Sequence, residues 1–192
     1  MKGINIFLAD GFEDMEALAV NDVLRRGGLD VCLVSIGEDP FVVSSHELTV
    51  GPEAFLYDFD EDHTGTGFED FMIFPGGMPG TKNLASSEAL IRAMREHYAE
   101  GGSLAAICAA PGLVLSQLKN VQGLEFTCFD GFQDYLIEKG AKFVSKPVVK
   151  SGRIITGRSA GHAVAFALEI LKAVKGEAAA EKVRYALMLD TK

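Results

Sequence analysis

The sequence predicts an α/β fold, a three-layer sandwich in which helices cover both faces of a mostly parallel β-sheet. Short apolar runs alternate with amphipathic segments along the chain, which is the pattern of strands joined by crossover helices. Runs such as residues 31–36 and 71–74 contain almost no polar side chain, as is typical of parallel strands buried on both faces. Glycine-bearing turns follow several of these runs and mark where strands end.

The individual elements follow from the hydrophobic period and from glycine and proline breaks. Strands are predicted at residues 4–8, 31–36, 41–43, 48–50, 71–74, 104–107, 124–127, 148–149 and 154–156. Helices are predicted at residues 13–26, 87–98, after Cys108, at 132–139, 162–175 and 177–189. The acidic stretch at residues 58–69 is expected to be an exposed loop. No repeat or linker divides the chain, so we expect a single domain over residues 1–192.

The composition limits the classes of function. The 192 residues carry a formal net charge of -9, which argues against a nucleic-acid-binding or phosphate-binding face. No apolar run is long enough to cross a bilayer, and the short apolar start lacks a signal-peptide cleavage region. Three cysteines without a close pair argue against a disulfide framework and a zinc site. We therefore expect a cytoplasmic protein with no membrane segment and no metal.

Cys108 lies where a predicted strand turns into a predicted helix. The residues after it are small and include Pro111, which suits the first turn of a helix. Such a bend is a nucleophile elbow, which lifts one reactive side chain above the sheet. The N–H groups of the following helix are expected to favour the thiolate and to lower the thiol pKa. The alternative is an inert cysteine packed in the core.

Glu16, in the first turn of the first helix, is the predicted acidic partner of Cys108. An ionised carboxylate beside the sulfur would raise the thiol pKa, whereas a protonated carboxyl that donates a hydrogen bond would lower it. The two groups would titrate as a coupled pair, with the proton on Glu16 while Cys108 is ionised. Glu13 and Asp14 compete for this position, and any of the three has the simpler role of stabilising the helix N-terminus.

Backbone donors are predicted at two turns. The N–H groups of Gly76, Gly77 and Ala109 are candidates to stabilise a developing oxyanion. The alternative for the glycine pair is a tight turn and nothing more. Dinucleotide-binding and phosphate-binding loops are excluded, because neither G-x-G-x-x-G after a strand nor G-x-x-x-x-G-K-[ST] occurs. No cofactor is therefore expected.

The remaining histidines and cysteines have weaker sequence arguments. His63 in the acidic loop and His97 on a charged helix face are expected to be solvated. His162 is either a helix cap or a wall of the pocket. Cys32 lies on an apolar strand and is expected in the core. Cys128 follows a strand and is a candidate wall residue of the pocket.

Four motifs in a fixed order resemble those of the ThiJ/PfpI superfamily. They are Ala9-Asp-Gly-Phe-Glu-Asp-Met-Glu16, Pro75-Gly-Gly77, Ala105-Ala-Ile-Cys-Ala-Ala-Pro111 and Gly157-Arg-Ser-Ala-Gly161 before a helix. The resemblance covers essentially the whole chain and is strongest to the branch of the parkinsonism-associated protein deglycases and their bacterial relatives. It implies a flavodoxin-like fold and a homodimer. It also implies that Cys108 is reactive and easily oxidised, and that Glu16 donates a hydrogen bond to its sulfur.

The match continues at the backbone donors and fails at two other positions. Gly77 and Ala109 match the family's donors that face the pocket. His46 stands where this branch tends to have an arginine near the partner's site, so that contact does not carry over. Phe129 stands where some members have a histidine, so a Cys–His arrangement of that kind is not expected. Both residues are candidate walls of the pocket, together with Cys128.

Three functions from different classes are consistent with these residues. The first is a Cys108-dependent enzyme of the glyoxalase or deglycase type, which acts on methylglyoxal or its adducts with assistance from Glu16. The second is an oxidation sensor or redox-regulated chaperone in which Cys108 becomes a sulfinate. The third is a binding module with an inert cysteine. Peptidase activity is not expected, because Ala109 and not a histidine follows the cysteine. Glutamine amidotransferase activity is not expected either, because the G-x-C-x-G elbow of those enzymes is absent.

Overall fold

Eleven strands and seven α-helices follow one another in a computed structural model of the chain, which describes residues 1–59 and 65–189. The strands are β1 (Ile4–Leu8), β2 (Val31–Ser35), β3 (Val42–Val43), β4 (Thr49–Val50), β5 (Ala54–Phe55), β6 (Phe71–Phe74), β7 (Ser103–Ile107), β8 (Glu125–Phe126), β9 (Lys142–Phe143), β10 (Val148–Ser151) and β11 (Ile154–Gly157). The helices are α1 (Asp14–Arg26), α2 (Gly80–Ser86), α3 (Glu88–Ala99), α4 (Ala110–Leu113), α5 (Asp134–Ile137), α6 (Ala163–Lys175) and α7 (Glu177–Ala186).

The central sheet has seven strands in the order β10-β11-β7-β6-β1-β2-β5. Every neighbouring pair in it is parallel except the hairpin β10–β11. The α/β sandwich with a mostly parallel, flavodoxin-like sheet is therefore confirmed. In this register β1, β6 and β7 end at the same edge of the sheet. The turns that follow them bring together the three motifs that the sequence singles out, as expected at the carboxyl ends of parallel strands.

Helices cover both faces of the sheet because successive strand residues point in opposite directions. Ile6 and Leu8 of β1 pack with α1, α6 and α7 on one face. Phe7, between them in the sequence, packs on the other face with α2, α3 and α4. All three side chains are fully buried. Strand β1 is therefore enclosed on both sides, which explains its uninterrupted apolar run.

Several local predictions differ from the structure. The glycine-rich turn after β6 leads into helix α2, where no helix was predicted. Strand β9 pairs with β8, although no strand was predicted at β9. The helix after Cys108 is shorter than its apolar sequence suggests, since α4 passes into a 3-10 turn at Leu115–Gln117. Residues 60–64 of the acidic stretch, with His63, lie outside the described residues.

The prediction that His97 is solvated is wrong. Its side chain is fully buried on the inner face of α3, and Nε2 lies 3.0 Å from the carbonyl oxygen of Ser103. Gly102 lies directly against the ring, so that any side chain at this position would overlap it. The charged residues around His97 in the sequence occupy the outer face of the same helix. In the described part of the chain, no helix has both the length and the apolarity needed to cross a membrane.

Candidate active site

Cys108 lies at the bend between β7 and α4. Its φ of 64° is in the left-handed region, which a residue with a side chain adopts only at an energetic cost and which recurs at functional sites. Two hydrogen bonds hold this conformation. The Cys108 N–H donates to the Gly157 carbonyl at 3.0 Å, and the Cys108 carbonyl accepts from the Phe129 N–H at 2.8 Å. The neighbouring strand and the loop after β8 thus fix the elbow.

Glu16 reaches the same point from the first turn of α1. Glu13 caps this helix, because its carboxylate accepts a hydrogen bond from the Glu16 N–H at 2.8 Å. The Glu16 side chain is only 1 % exposed, and its Oε2 accepts from the Gly76 N–H at 2.7 Å. Among the described residues, Oε1 is buried without a hydrogen-bond partner. The carboxyl as a whole interacts with the thiol of Cys108, so the buried acid has one backbone donor and lies beside the cysteine.

Gly76 separates the carboxyl from the thiol. A Cβ built on this glycine would lie 2.5 Å from Glu16 Oε2, 2.6 Å from Cys108 Cβ and 3.1 Å from Cys108 Sγ. No side chain fits there, because such distances are below van der Waals contact. The absence of a side chain at Gly76 is what allows Glu16 and Cys108 to meet.

Two backbone N–H groups face the Cys108 sulfur, those of Gly77 and Ala109. Gly77 has a φ of 92°, which turns its N–H inward and which glycine adopts without strain. Ala109 is the residue before α4, so its N–H is one of the unpaired donors at a helix start. Gly76 differs from the prediction, because its N–H is already bound to Glu16 and is not directed at the sulfur.

The pKa of Glu16 is raised from 4.5 to about 7, mainly by burial and to a lesser extent by the charge of Glu13. The hydrogen bonds with Gly76 and Cys108 lower it and only partly offset the burial. Glu16 therefore exchanges its proton near neutral pH. A carboxyl with this property is suited to take up and return a proton at the operating pH of most enzymes.

The pKa of Cys108 is raised to about 12, first by burial and then by the charge of Glu16 and the hydrogen bond with it. The N–H groups of Ala109 and Gly77 lower it, but they do not outweigh the burial. The expected lowering of the thiol pKa by the helix N-terminus is therefore absent when Glu16 is ionised. Because the two negative charges repel each other, ionisation of Glu16 opposes ionisation of Cys108, and the two groups titrate as a coupled pair.

The three candidate wall residues occupy different surroundings. The Phe129 N–H donates to the Cys108 carbonyl, and the residue is 47 % exposed, so Phe129 lies on the rim beside Cys108. Cys128 is fully buried in the core on the other face of the sheet. His46 is an exposed residue of the β3–β4 hairpin, and its Nδ1 lies 2.5 Å from Asp14 Oδ2. The structure brings Phe129, but not Cys128, to the rim.

One cluster among the described residues has the donor set of a metal site. Ligand atoms of Glu13, Asp14 and His46 lie within 4.8 Å of one another. Hydrogen bonds account for this arrangement, because Glu13 caps α1 and Asp14 accepts from Ser44 Oγ at 2.5 Å as well as pairing with His46. The cluster joins the hairpin to the start of α1.

The sequence leaves the role of His162 undecided between a helix cap and a wall of the pocket. His162 ends a 3-10 turn, Ala160–His162, that follows β11 and packs against α1. Its Nδ1 lies 3.0 Å from Ser159 Oγ. The signal in the sequence is the spacing of a serine and a histidine just after a strand that ends at the same edge as β7.

The comparisons with known proteins agree with this geometry. Residues 2–173 match the model of the DJ-1/PfpI family. Protein DJ-1 homolog A of Arabidopsis thaliana is 31% identical over 98% of this chain, which spans 47% of that relative. The glutathione-independent glyoxalase DJR-1.2 of Caenorhabditis elegans is 31% identical, with 85% of this chain and 83% of the relative covered.

The crystal structure of Drosophila melanogaster DJ-1beta is also similar to this protein. The two share 31% sequence identity and a TM-score of 0.87, with 97% of each chain covered. A family match over most of the chain, a structural match of this extent and an elbow cysteine beside a buried acid lead to one conclusion. The chain belongs to the DJ-1/PfpI family.

Proposed function

We propose that the protein is a cysteine-dependent enzyme of the glyoxalase or deglycase type, which acts on reactive small carbonyls. The observation that carries the proposal is the meeting of Glu16 and Cys108 across Gly76, with a carboxyl whose pKa is raised to about 7. A buried acid that exchanges its proton near neutral pH beside a thiol is the arrangement that addition of sulfur to an aldehyde requires. The similarity to a glutathione-independent glyoxalase supports the same reaction class.

The reaction of methylglyoxal follows from these groups. The Cys108 sulfur bonds to the aldehyde carbon, the carbonyl double bond opens, and the thiol proton passes through Glu16 to the oxygen. The N–H groups of Gly77 and Ala109 stabilise the charge that develops on that oxygen. Transfer of the carbon-bound proton to the neighbouring carbonyl carbon, and of the new hydroxyl proton to the oxygen of that carbonyl, gives a thioester of lactate. Water then hydrolyses the thioester, which releases lactate and the free thiol without any external oxidant or reductant.

The rim of the site favours small neutral substrates. Phe129 and Met78 are apolar and are 47% and 38% exposed beside the elbow and the Gly77 turn. Glu13 and Asp14 lie at the start of α1 and make this side of the rim acidic. An apolar and acidic rim attracts an uncharged 1,2-dicarbonyl, or its adduct on an amine, more than an anionic substrate.

Lactate formation from methylglyoxal tests the proposal. We expect turnover by the wild type and a loss of about 10³-fold or more in Cys108→Ser, since the variant lacks the nucleophile. Cys32→Ser is the matched control, because Cys32 is a half-buried thiol on β2, away from the elbow. Equal rates in the wild type and Cys108→Ser, or no lactate from either, would overturn the proposal.

A second function is favoured by the two N–H groups at the sulfur. Two molecules of peroxide convert a thiol to a sulfinate and are reduced to two molecules of water. Gly77 and Ala109 donors would bind the sulfinate oxygens, and protonated Glu16 would hydrogen-bond to them, in a redox sensor or chaperone. Intact mass after mild peroxide should rise by two oxygen atoms in the wild type and not in Cys108→Ser. No gain in the wild type removes this function, and an equal gain in Glu16→Gln removes Glu16 from it.

The assembly and compartment that we propose are a homodimer and the cytoplasm. Met15, Val43 and Leu48 are large apolar side chains that are 56%, 40% and 43% exposed. They lie on the start of α1 and on the β3–β4 hairpin, which hydrogen bonds join to each other. Burial of such a surface against a second copy would stabilise a twofold dimer. The three free thiols stay reduced in a cytoplasmic environment.

A further inference from the structure

Ser159 and His162 form a polar pair in the turn after β11. Ser159 Oγ lies 3.0 Å from His162 Nδ1, and both side chains are half-buried. The backbone of the turn is also fixed, because the His162 N–H donates to the Ser159 carbonyl at 2.8 Å. The serine therefore holds the imidazole in one orientation. Nε2 makes no hydrogen bond to any residue that the structure describes and is free for another partner.

The turn belongs to the same edge of the sheet as Cys108. Strand β11 is the parallel neighbour of β7, and its last residue, Gly157, accepts the hydrogen bond from the Cys108 N–H. Two residues later the chain reaches Ser159. The 3-10 turn Ala160–His162 then packs against α1, the helix whose first turn carries Glu16. The pair lies between the two elements that supply the nucleophile and the acid.

The opposite end of the turn is tied to the other rim of the site. Arg158 donates from Nη2 to Asp130 Oδ1 at 2.7 Å, and from Nη1 to Ser145 Oγ at 3.0 Å. Asp130 follows Phe129, the residue whose N–H binds the elbow carbonyl. The loop after β8 and the turn after β11 thus form one connected wall. A histidine with a free Nε2 therefore lies in a wall that hydrogen-bonds to the Cys108 backbone and contacts α1.

We propose that His162, oriented by Ser159, is the group that moves the carbon-bound proton of a substrate attached to Cys108. The inference rests on the proposed function. Nε2 accepts the proton from the carbon that bears sulfur, and the electron pair forms the double bond of an enediol. The protonated imidazole then returns the proton to the adjacent carbon. The carbon bound to sulfur becomes a thioester, the adjacent carbon becomes an alcohol, and no atom or electron is lost.

The assignment follows from how the other groups are engaged. Glu16 Oε2 is held by the Gly76 N–H, and the carboxyl interacts with the Cys108 thiol, so Glu16 serves the sulfur and oxygen protons. The move between two carbons needs a base on another side of the substrate. In the neutral imidazole in which Nδ1–H donates to Ser159 Oγ, Nε2 keeps the lone pair that this base requires.

Kinetics of two substitutions test the role. His162→Gln should lower kcat for lactate formation by about 10²-fold and change KM little, because general base catalysis is lost while substrate binding is kept. Ser159→Ala should lower kcat less, by about 10-fold, and alter its pH profile, since the imidazole is no longer oriented. Alkylation of Cys108 by iodoacetamide should be unchanged in both. Ser151→Ala, a serine at the other end of the same hairpin, is the matched control.

Imidazole NMR tests the location of His162 whether or not lactate is formed. Carboxymethylation of Cys108 adds a negative charge at the sulfur, and carbamidomethylation adds a neutral group of the same shape. The ¹⁵N resonances of His162 should move with the charged adduct and much less with the neutral one. No response to either adduct, or full kcat in His162→Gln, overturns the inference. Absence of lactate from the wild type overturns the proposed function and with it the role of His162 in turnover.

Discussion

Two buried carboxyl groups at opposite edges of the sheet show how the same chemical group serves structure in one place and reactivity in another. Asp70 precedes β6 at the amino edge, and both of its oxygens are used: Oδ1 accepts from the Gly3 N–H at 2.6 Å and Oδ2 from the Gly67 N–H at 2.8 Å. Glu16 at the carboxyl edge has one backbone donor, from Gly76 at 2.7 Å. Its second oxygen, Oε1, has no hydrogen-bond partner among the described residues.

The difference lies in what compensates for burial. Two N–H donors occupy both oxygens of Asp70, so its side chain joins the parts of the loop that closes the amino edge. Glu16 lacks the second donor, and burial then favours the protonated form. The protein keeps a carboxyl that is costly to ionise at the point where Cys108 needs a proton carrier. Stability is given up at this edge and maintained at the other.

The largest effect is expected for Glu16→Gln, which should stabilise the protein. The folded-state pKa of Glu16, about 7, lies above the ordinary value of 4.5, so its ionisation opposes folding as the pH rises between these values. At pH 8 the lost stability amounts to about 3 kcal/mol, at 1.36 kcal/mol per pKa unit. Glutamine keeps an oxygen for the Gly76 N–H and carries no charge. Urea unfolding should show the gain at pH 8 and little difference at pH 4.5.

The same variant should be a poorer enzyme, with kcat for lactate lowered by about 10²-fold through loss of the proton carrier. Asp22→Asn is the control for the stability measurement, because Asp22 is an exposed acid on the same helix. It should show no gain between pH 4.5 and pH 8. A Glu16→Gln protein that is less stable than the wild type at pH 8 would contradict the account of Glu16.

Asp70→Asn should have the opposite sign and a smaller size. The asparagine side chain offers one carbonyl oxygen, and its NH₂ group meets an N–H where the second carboxylate oxygen was. One backbone donor loses its partner, which costs about 2 kcal/mol of the free energy of unfolding. Alkylation of Cys108 should proceed as in the wild type, since Asp70 is at the other edge. Glu69→Gln, at the exposed neighbour, is the control; equal stability of all three proteins would remove Asp70 from its structural role.

The sequence was sufficient for the buried strands β1, β2, β6, β7 and β11 and for the meeting of the motifs. Buried parallel strands are apolar runs, and their carboxyl ends share one edge, so the turns at Gly76 and Cys108 had to be neighbours of the start of α1. Even the positive φ of Cys108 follows from a strand that turns sharply into a helix. These features depend on local pattern and on topology, both of which a single sequence contains.

Depth below the surface could not be predicted in the same way. The thiol pKa was expected to fall because a helix N-terminus is near, but the pKa of Cys108 is raised, chiefly by burial. His97 was expected at the surface because charged residues surround it in the sequence, yet Gly102 leaves room for its ring in the core. In both cases the deciding quantity is how much protein covers a side chain, which depends on residues distant in the sequence.

The smallest effect is expected for His46→Gln. This substitution removes the partner of a third carboxyl, that of Asp14, which is neither buried nor reactive. Burial raises the pKa of Asp14, but hydrogen bonds from Ser44 and His46 outweigh it and lower that pKa. The hydrogen bond with Asp14 and its charge in turn raise the pKa of His46 above 6.5. The His46 side chain is 72% exposed, so water and salt screen the pair.

The pH dependence of this small effect distinguishes it from the other two. Because the pKa of His46 is raised on folding, the pair stabilises the protein fully below pH 6.5, and this stabilisation is lost as the pH rises through the folded-state value. His46→Gln should therefore be less stable than the wild type at pH 6, equal to it at pH 9, and nearer to it in 1 M salt. Asp14→Asn combined with His46→Gln in a double-mutant cycle isolates the pair from other changes at the hairpin. A deficit that is the same at pH 6 and pH 9 would show that the ring packs against the hairpin and does not act through its charge.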